Sequence, residues 1–312
     1  MDGKLQMIHA PIAFFAYNRP EHMFNALSSL AENPEAKDSE LFIFCDAPKN
    51  PDLHHATDIV RKIARSKQWC RTVHVLESNL NMGCARSVIS GVTQVCEKYG
   101  KVIVLEDDLI LSPYFLEYMN AALYRYENND QVMQISGHMF PVDLGKVTDS
   151  IFLPFITSWG WATWQRAWRL FDADASKYAD LKNNRDMIHR FNIYGSYPYF
   201  EMLNAQMVGG VDSWAILWYL SVFFHNGLAL YPTKTLVENA GFDGTGTHCP
   251  VGPAAAINRP MNRVQTFPHD IQVKKKDLDK IVAFLKKTHK KQESIRTFLN
   301  IINEKVRSLC RK

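Results

Sequence analysis

The chain has 312 residues, 46% of them hydrophobic and 22% charged, with a formal net charge of +4. That is the usage of an ordinary globular protein, which excludes a disordered or fibrous chain and allows one large α/β domain or two small ones with ample core. Six cysteines (Cys45, Cys70, Cys84, Cys96, Cys249 and Cys310) stand far apart with no C-x-x-C pair, which excludes a compact disulfide framework and points to a reducing, cytosolic compartment.

The N-terminal MDGKLQM lacks a basic stretch followed by an apolar one, so no signal peptide and no export are expected. Residues 12–17 (IAFFAY) form a short apolar run that predicts a buried strand ending at Asn18-Arg19-Pro20. Pro20 suits the first turn of a helix carrying Met23, Leu27 and Leu30 at helical spacing, and Asn33-Pro34 closes it. A second strand over 41–45 ends at Asp46, and a helix around 57–66 follows. A third strand over 73–76 enters the polar loop 77–83, and a helix marked by Val88, Val92 and Val95 ends at Gly100. The fourth strand, 102–105, runs straight into Glu106-Asp107-Asp108. Strands spaced by crossover-length helices predict right-handed βαβ units and a mostly parallel sheet, with ligands bound beyond the carboxyl ends of its strands.

From about 131 to 247 the pattern is more aromatic and less regular, with Trp159, Trp161, Trp164 and Trp168 crowded together. Such density reads either as a sugar-stacking wall or as core. The uninterrupted apolar run 214–224 is far below the roughly 20 residues of a membrane span and predicts a buried helix. From Lys274 onward two amphipathic helical patterns follow, on Leu278, Ile281, Val282 and Leu285, then on Ile295, Phe298, Leu299, Ile302, Val306 and Leu309. Residues 274–312 hold 13 Lys and Arg against 4 Asp and Glu, leaving 23 against 28 on the rest. A basic tail on a mildly acidic body points to an anionic surface, with a solvated basic face as the alternative.

Chemistry concentrates at Glu106-Asp107-Asp108. Three adjacent carboxylates after a buried strand repel one another unless a cation or donor groups neutralise them. Oxygen ligands fit Mg²⁺ or Mn²⁺ rather than zinc. Ser112 as N-cap and Pro113 at N1 are expected to start the next helix without help from the acidic residues. Asp46 offers an acceptor for a base or ribose, or closes an Asx turn. Arg19 and Arg86 are placed for a diphosphate, and Gly83 permits close backbone approach. Asp212, after Gly209-Gly210 and before an apolar helix, is either a general base or a helix cap. The loop Phe242-Asp243-Gly244-Thr245-Gly246-Thr247-His248 is long enough to fold over a ligand, with His248 within reach of a metal or phosphate. No G-x-G-x-x-G after a strand, Walker loop, G-x-S-x-G or H-E-x-x-H occurs, which removes the commonest dinucleotide, P-loop, hydrolase and zinc-protease readings.

The first ~125 residues resemble the nucleotide-sugar half of GT-A-type inverting glycosyltransferases of family 2, on Tyr17-Asn18-Arg19, Asp46, Asn81-Met82-Gly83 with Arg86, and Glu106-Asp107-Asp108. The Glu-Asp-Asp form, the Ser-Pro-Tyr-Phe-Leu-Glu-Tyr helix and the later Trp-Gly-Trp segment are also similar to N-acetylglucosaminyltransferase I. The departures are a second strand ending in Cys-Asp-Ala and a second half that matches only in fragments. The resemblance implies a GT-A, Rossmann-like α/β fold with a helical C-terminal extension. It divides the chain into 1–270, with a nucleotide-sugar half at 8–125, an acceptor half at 131–250 and a mobile loop at 241–249, and a basic extension at 271–312.

It further implies a metal-dependent inverting transfer from a nucleotide-diphosphate sugar, UDP favoured, to a hydroxyl of a saccharide or lipid-linked saccharide in cell-surface polysaccharide or glycoconjugate synthesis. Asp108 would hold Mn²⁺ or Mg²⁺, Glu106 and Asp107 would help hold metal and ribose, and Asp212 would be the base. Trp159, Trp161 and Trp214 would line the sugar wall. No nucleic acid is expected, and the basic helices would lie on an anionic membrane face. A nucleotidyltransferase, or an inactive carbohydrate-binding scaffold of the same fold, are the rival expectations.

Overall fold

The computed structural model describes residues 9–145, 148–244 and 259–290. The four apolar runs of the first third form β1 (Ile12–Ala16), β2 (Glu40–Cys45), β3 (Thr72–Glu77) and β4 (Lys101–Glu106). Between them lie α1 (Pro20–Ala31), α2 (His54–Arg65) and α3 (Cys84–Tyr99). Pro20 opens α1 as expected, and Gly100 closes α3 in the left-handed conformation, so the chain drops directly into β4. β2 pairs in parallel with β1 and β3, and β1 pairs in parallel with β4. The order is therefore β3-β2-β1-β4, which reverses direction between β1 and β4 and opens a crevice beyond their carboxyl ends.

β1, β2 and β4 are covered on both faces of the sheet, while the edge strand β3 is half-buried. Met23, Leu27 and Leu30 of α1 pack with Ile12, Phe14 and Leu105 on one side, while Val88, Val92 and Val95 of α3 pack with Ala13, Phe15 and Val104 on the other. This double burial explains why the strands read as continuous apolar runs rather than alternating ones.

Further elements follow in the chain: β5 (Leu109–Leu111), α4 (Phe115–Arg125), β6 (Val132–Ser136), β7 (Ser150–Leu153), β8 (Trp161–Trp164), α5 (Gln165–Trp168) and α6 (Tyr178–Lys182). Then come α7 (Arg185–Phe191), α8 (Tyr199–Met207), α9 (Trp214–Phe224), β9 (Leu228–Pro232) and β10 (Val237–Asn239). β8 pairs antiparallel with both β4 and β6, β9 runs parallel to β6, and β7 closes the edge antiparallel to β9. The result is a mixed eight-stranded sheet flanked by helices, parallel in its first four strands and mixed in the rest. β5 and β10 form a separate antiparallel pair.

The helix expected from Pro113 begins at Phe115 instead. Ser112 Oγ accepts from Tyr114 N–H at 3.2 Å and donates to the Asn262 carbonyl at 2.9 Å, so it closes the turn before the helix rather than capping it. The predicted buried helix over 214–224 is α9. Residues 275–290 are helical, and Leu278, Ile281 and Leu285 pack into the same core as α3 and α9. The second C-terminal pattern, from Ile295 to Leu309, lies outside the described residues, as do Cys249 and Cys310. Cys45, Cys70, Cys84 and Cys96 are free thiols. Among the described residues no helix is long and apolar enough to cross a membrane.

Candidate functional site

The acidic triplet leaves the end of β4 beside the end of β1, at the point where the strand order reverses. Arg19, at the N-cap of α1, turns its side chain away from the helix and into the triplet. It hydrogen-bonds Asp107, and its Nη1 lies 3.0 Å from Asp108 Oδ2 without hydrogen-bond geometry. Asp107 also accepts from Tyr17 N–H at 3.3 Å, and Tyr17 Oη accepts from Lys49 N–H at 2.9 Å. Burial opposes the charge on Arg19, but Asp107 and Asp108 together hold its pKa above the ordinary arginine value. Arg19, expected to face a diphosphate, is instead the cation that neutralises part of the acidic cluster. It is attached to carboxylates 88 and 89 positions away, which spacing along the chain does not show. Asn18 makes no hydrogen bond among the described residues.

One guanidinium among three carboxylates leaves an excess of negative charge. Burial pushes the Glu106 carboxyl up to about 8, Asp108 and Asp107 add to the rise, and Arg19 opposes it. Burial likewise raises Asp107 to about 6, against the pull of Arg19. Glu106 has no hydrogen-bond partner among the described residues. Both of its oxygens and Asp108 Oδ1 therefore remain available as hard donors, whereas Asp107 is engaged by Tyr17 and Arg19. Among the described residues no three His, Cys, Asp or Glu side chains converge on one metal position. Two carboxylates with unused oxygens on a net-negative cluster still fit a divalent cation that completes its shell with phosphate oxygens and water.

Asp46 follows β2 as expected, and its carboxylate is occupied by the chain's own donors. Its carboxylate accepts from Ala47 N–H at 2.9 Å, Met82 N–H at 2.9 Å, Gly83 N–H at 3.0 Å and Asn81 Nδ2 at 3.1 Å, and Asn81 also donates to the Ala47 carbonyl at 2.7 Å. Asp46 is 7% exposed, and these four donors surround it. It ties the 81–83 loop to the end of β2. Beside that tie lies a cavity of about 340 Å³ lined by Ala47, Pro48, His54, Arg61, Ser78, Asn79, Leu80 and Asn81. Arg61 donates from Nη2 to the Ser78 carbonyl at 2.9 Å, while its buried Nε has no partner.

Gly83 precedes α3 with φ +76°, and a Cβ there would lie 3.1 Å from Asp212 Oδ2. Asp212, from the other half of the chain, accepts from Ala85 N–H at 3.3 Å. It thus sits at the N-terminus of α3 rather than capping α9, whose N-cap is Ser213. Asp212 is exposed, and it lies within electrostatic reach of the Cys84 thiol, which burial raises first and Glu106, Asp212, Asp107 and Asp108 raise further. The acidic triplet, the 81–83 loop and Asp212 therefore converge on one edge of the sheet. Arg86, on the exposed side of α3, has no partner among the described residues.

A strap from β10 crosses the triplet. Ala240 N–H donates to the Asp108 carbonyl at 2.8 Å, and a side chain at Gly241 would overlap Asp108 Oδ2, so glycine is needed there for close approach. His22 Nε2 lies 3.3 Å from the Ala240 carbonyl and 3.3 Å from Asp243 Oδ2. Phe242 carries the strap onto Trp159, with ring centroids 5.6 Å apart. The rest of the expected loop, including His248, lies outside the described residues.

Of the three wall tryptophans, only Trp159 reaches the surface of the site. Trp161 is fully buried and stacks on Trp214 at 5.0 Å, so both belong to the core with Trp168 and Trp218, not to a sugar wall. Alternation along β8 sends Trp161 to one face of the sheet and Trp164 to the other. His138 was not anticipated; its ring packs 4.4 Å from Trp159, and burial lowers its pKa to about 4, which keeps it neutral at pH 7. Ser136-Gly137-His138 directly after an apolar strand was the available signal, but the strand itself was not recognised.

No family model and no curated protein matches the chain. Among solved structures, TarS of S. aureus is similar over 75% of this chain and 37% of its own, at 14% identity and a TM-score of 0.39. The galactosyltransferase LgtC, solved with donor and acceptor sugar analogues, is similar over 57% of this chain and 66% of its own, at 11% identity and 0.34. Glucosyl-3-phosphoglycerate synthase of M. tuberculosis, solved with Mn²⁺, UDP and glucosyl-3-phosphoglycerate, is similar over 52% and 58%, at 13% and 0.32. The chain thus spans 37% of the TarS chain, and none of these likenesses is close enough to bear on activity.

Proposed function

We propose that this chain is a glycosyltransferase that moves a sugar from a nucleotide-diphosphate donor to a saccharide hydroxyl. The observation that carries the reading is the convergence, on one sheet edge, of a net-negative carboxylate cluster, the cavity beside Asp46 and the exposed carboxylate of Asp212. The nucleoside occupies the cavity between the ends of β2 and β3, with the Arg61 Nε–H and the loop 78–81 as polar partners. Glu106 and Asp108 hold a divalent cation, Mn²⁺ or Mg²⁺, which when bound supplies neutralising charge for the diphosphate leaving group. Arg19 and Tyr17 keep the triplet in position by holding Asp107. Arg86 is free to meet a phosphate at the N-terminal end of α3.

Asp212 takes the proton from the acceptor hydroxyl as that oxygen attacks the anomeric carbon, in a single inverting displacement. Trp159 and Phe242 present aromatic faces to a sugar, and the strap over Asp108 keeps water from the reacting bond. The UDP class is the favoured donor, and a cell-surface saccharide, free or lipid-linked, is the acceptor class. The exposed Lys274, Lys275, Lys276, Lys286 and Lys287 are proposed to rest on an anionic membrane. Salt-sensitive sedimentation with phosphatidylglycerol vesicles, absent with phosphatidylcholine, is the expected sign of that contact. The functional reading is tested by a thermal-shift series of nucleoside diphosphates and nucleotide sugars with Mn²⁺ and with chelator. A cation-dependent rise with one nucleotide class is expected. A well-folded protein that responds to none of them overturns it.

A further inference from the structure

A second cavity, of about 200 Å³, lies far from the acidic triplet. Its mouth is framed by Leu228, the first residue of β9, and by Pro154 and Phe155, which follow β7. β9 runs parallel to β6, and β6 and β4 are both antiparallel to β8, so β9 and β4 point the same way. The triplet follows the carboxyl end of β4, whereas this cavity opens at the amino end of β9, on the opposite edge of the sheet. With three strand spacings between β4 and β9 and the length of a five-residue strand, the separation is about 20 Å.

The backbone around the cavity is unusual. Ile193, Tyr194 and Gly195 have φ of +46°, +55° and +69°, a left-handed turn of three consecutive residues of which only the last is glycine. A side chain in the left-handed region crowds the following carbonyl, and a β-branched residue there is a genuine outlier. The turn is held by Ser196, whose N–H and Oγ donate to the Ile193 carbonyl at 3.1 and 2.6 Å, and by burial of the Ile193 side chain. Its effect is to place Tyr194, 39% exposed, at the cavity mouth.

The floor is formed by the buried rings of Phe155, Tyr219 and Phe223, and the rim is polar. The Arg190 guanidinium lies 5.4 Å over the Phe223 ring and has no carboxylate partner among the described residues. The Tyr194 hydroxyl and the Asn226 amide are likewise without hydrogen-bond partners among the described residues. An engineered apolar cavity of about 150 Å³ holds one benzene, and drug-sized ligands need about 300 Å³ or more, so the space here suits a single substituted six-membered ring. The exposed ring of Tyr194 suits the C–H face of a pyranose, its hydroxyl and the Asn226 amide suit the sugar hydroxyls, and an unpaired arginine suits a carboxylate in bidentate geometry.

We propose that this cavity is a second carbohydrate site that takes one acidic pyranose residue, of the uronic-acid type. Its binding chemistry does not depend on catalysis at the triplet; only its use, as a distal grip on an acidic acceptor, rests on the glycosyltransferase reading. The test is saturation-transfer NMR and calorimetry on the full chain with methyl β-D-glucuronide and, as the neutral probe, methyl β-D-glucoside. At least about tenfold tighter binding of the glucuronide is expected, the factor that about 1.4 kcal/mol of charge-assisted hydrogen bonding provides. Arg190→Gln should reduce the glucuronide to the level of the glucoside without shifting the melting temperature, and Tyr194→Phe should weaken both probes.

Equal binding of the two probes, no binding of either, or an Arg190→Gln protein with undiminished affinity overturns the proposal. The nucleotide thermal-shift series run on the same samples separates the two readings. Glucuronide binding without a nucleotide response defeats only the transfer reading, and the reverse result defeats only this one.

Discussion

Replacing Asp46 separates a residue that holds a loop from one that touches the nucleotide. Three backbone N–H groups and the Asn81 amide converge on its carboxylate. Hydrogen bonds to a charged acceptor contribute about 1.5–3 kcal/mol each, but the 81–83 loop is half-buried and water replaces part of what Asp46→Ala removes, so the expected loss of stability is about 3 kcal/mol. Asp46→Asn keeps one acceptor oxygen and turns a donor toward other donors, and is expected to cost about 1–2 kcal/mol. Urea unfolding of both variants, with unchanged slope, measures these values. UDP affinity should fall in the same order as stability, because the loop that shapes the cavity loosens first. An Asp46→Ala protein destabilised by less than about 0.5 kcal/mol, with nucleotide binding abolished, would make Asp46 a direct nucleotide ligand instead of a loop anchor.

The acidic triplet predicts a pH effect of definite sign. The carboxyls of Glu106 and Asp107, raised to about 8 and about 6, bind their protons more tightly in the folded chain than in the unfolded one. Their contribution to stability is therefore complete below about pH 4 and is lost as the pH rises through 6 and 8. In chelator, Glu106→Gln should melt at a higher temperature than the wild type at pH 8 and close to it at pH 5, and Mn²⁺ should narrow the gap; a gap that does not change with pH contradicts the charge assignment. The tryptophans should divide by role. Trp161→Ala is expected to cost about 3–5 kcal/mol by emptying the core, while Trp159→Ala leaves urea stability within about 1 kcal/mol and lowers sugar transfer. Equal stability losses would contradict this division.

The first half of the fold was legible because β1, β2 and β4 are covered on both faces and its helices sit at crossover length, so apolar runs such as FIF at 42–44 and VIVL at 102–105 announce themselves. The second half was not, because β8 enters antiparallel between β4 and β6, and no local pattern shows that insertion. The acidic triplet was found because adjacent carboxylates after an apolar strand are chemically conspicuous. Its partner was not: the divalent cation was expected to neutralise it, and Arg19 from the end of β1 neutralises part of it. The same limit applies to Asp46 and Met82, bonded across 36 residues, and to Asp212 and Ala85, bonded across 127. Tryptophan density could not separate wall from core, since the side that each ring faces depends on a strand whose pairing was unknown.

Nucleoside-diphosphate release, with the donor that stabilises the protein and a saccharide acceptor, from the wild type and from Asp212→Asn, tests glycosyl transfer at this site. Acceptor-dependent release by the wild type is expected. The variant should bind donor as before and turn over at least about 10²-fold more slowly, the contribution of a positioned general base. Release at near-wild-type rate by Asp212→Asn would leave that carboxylate as only a cap on α3, and release of pyrophosphate from a nucleoside triphosphate would contradict glycosyl transfer itself.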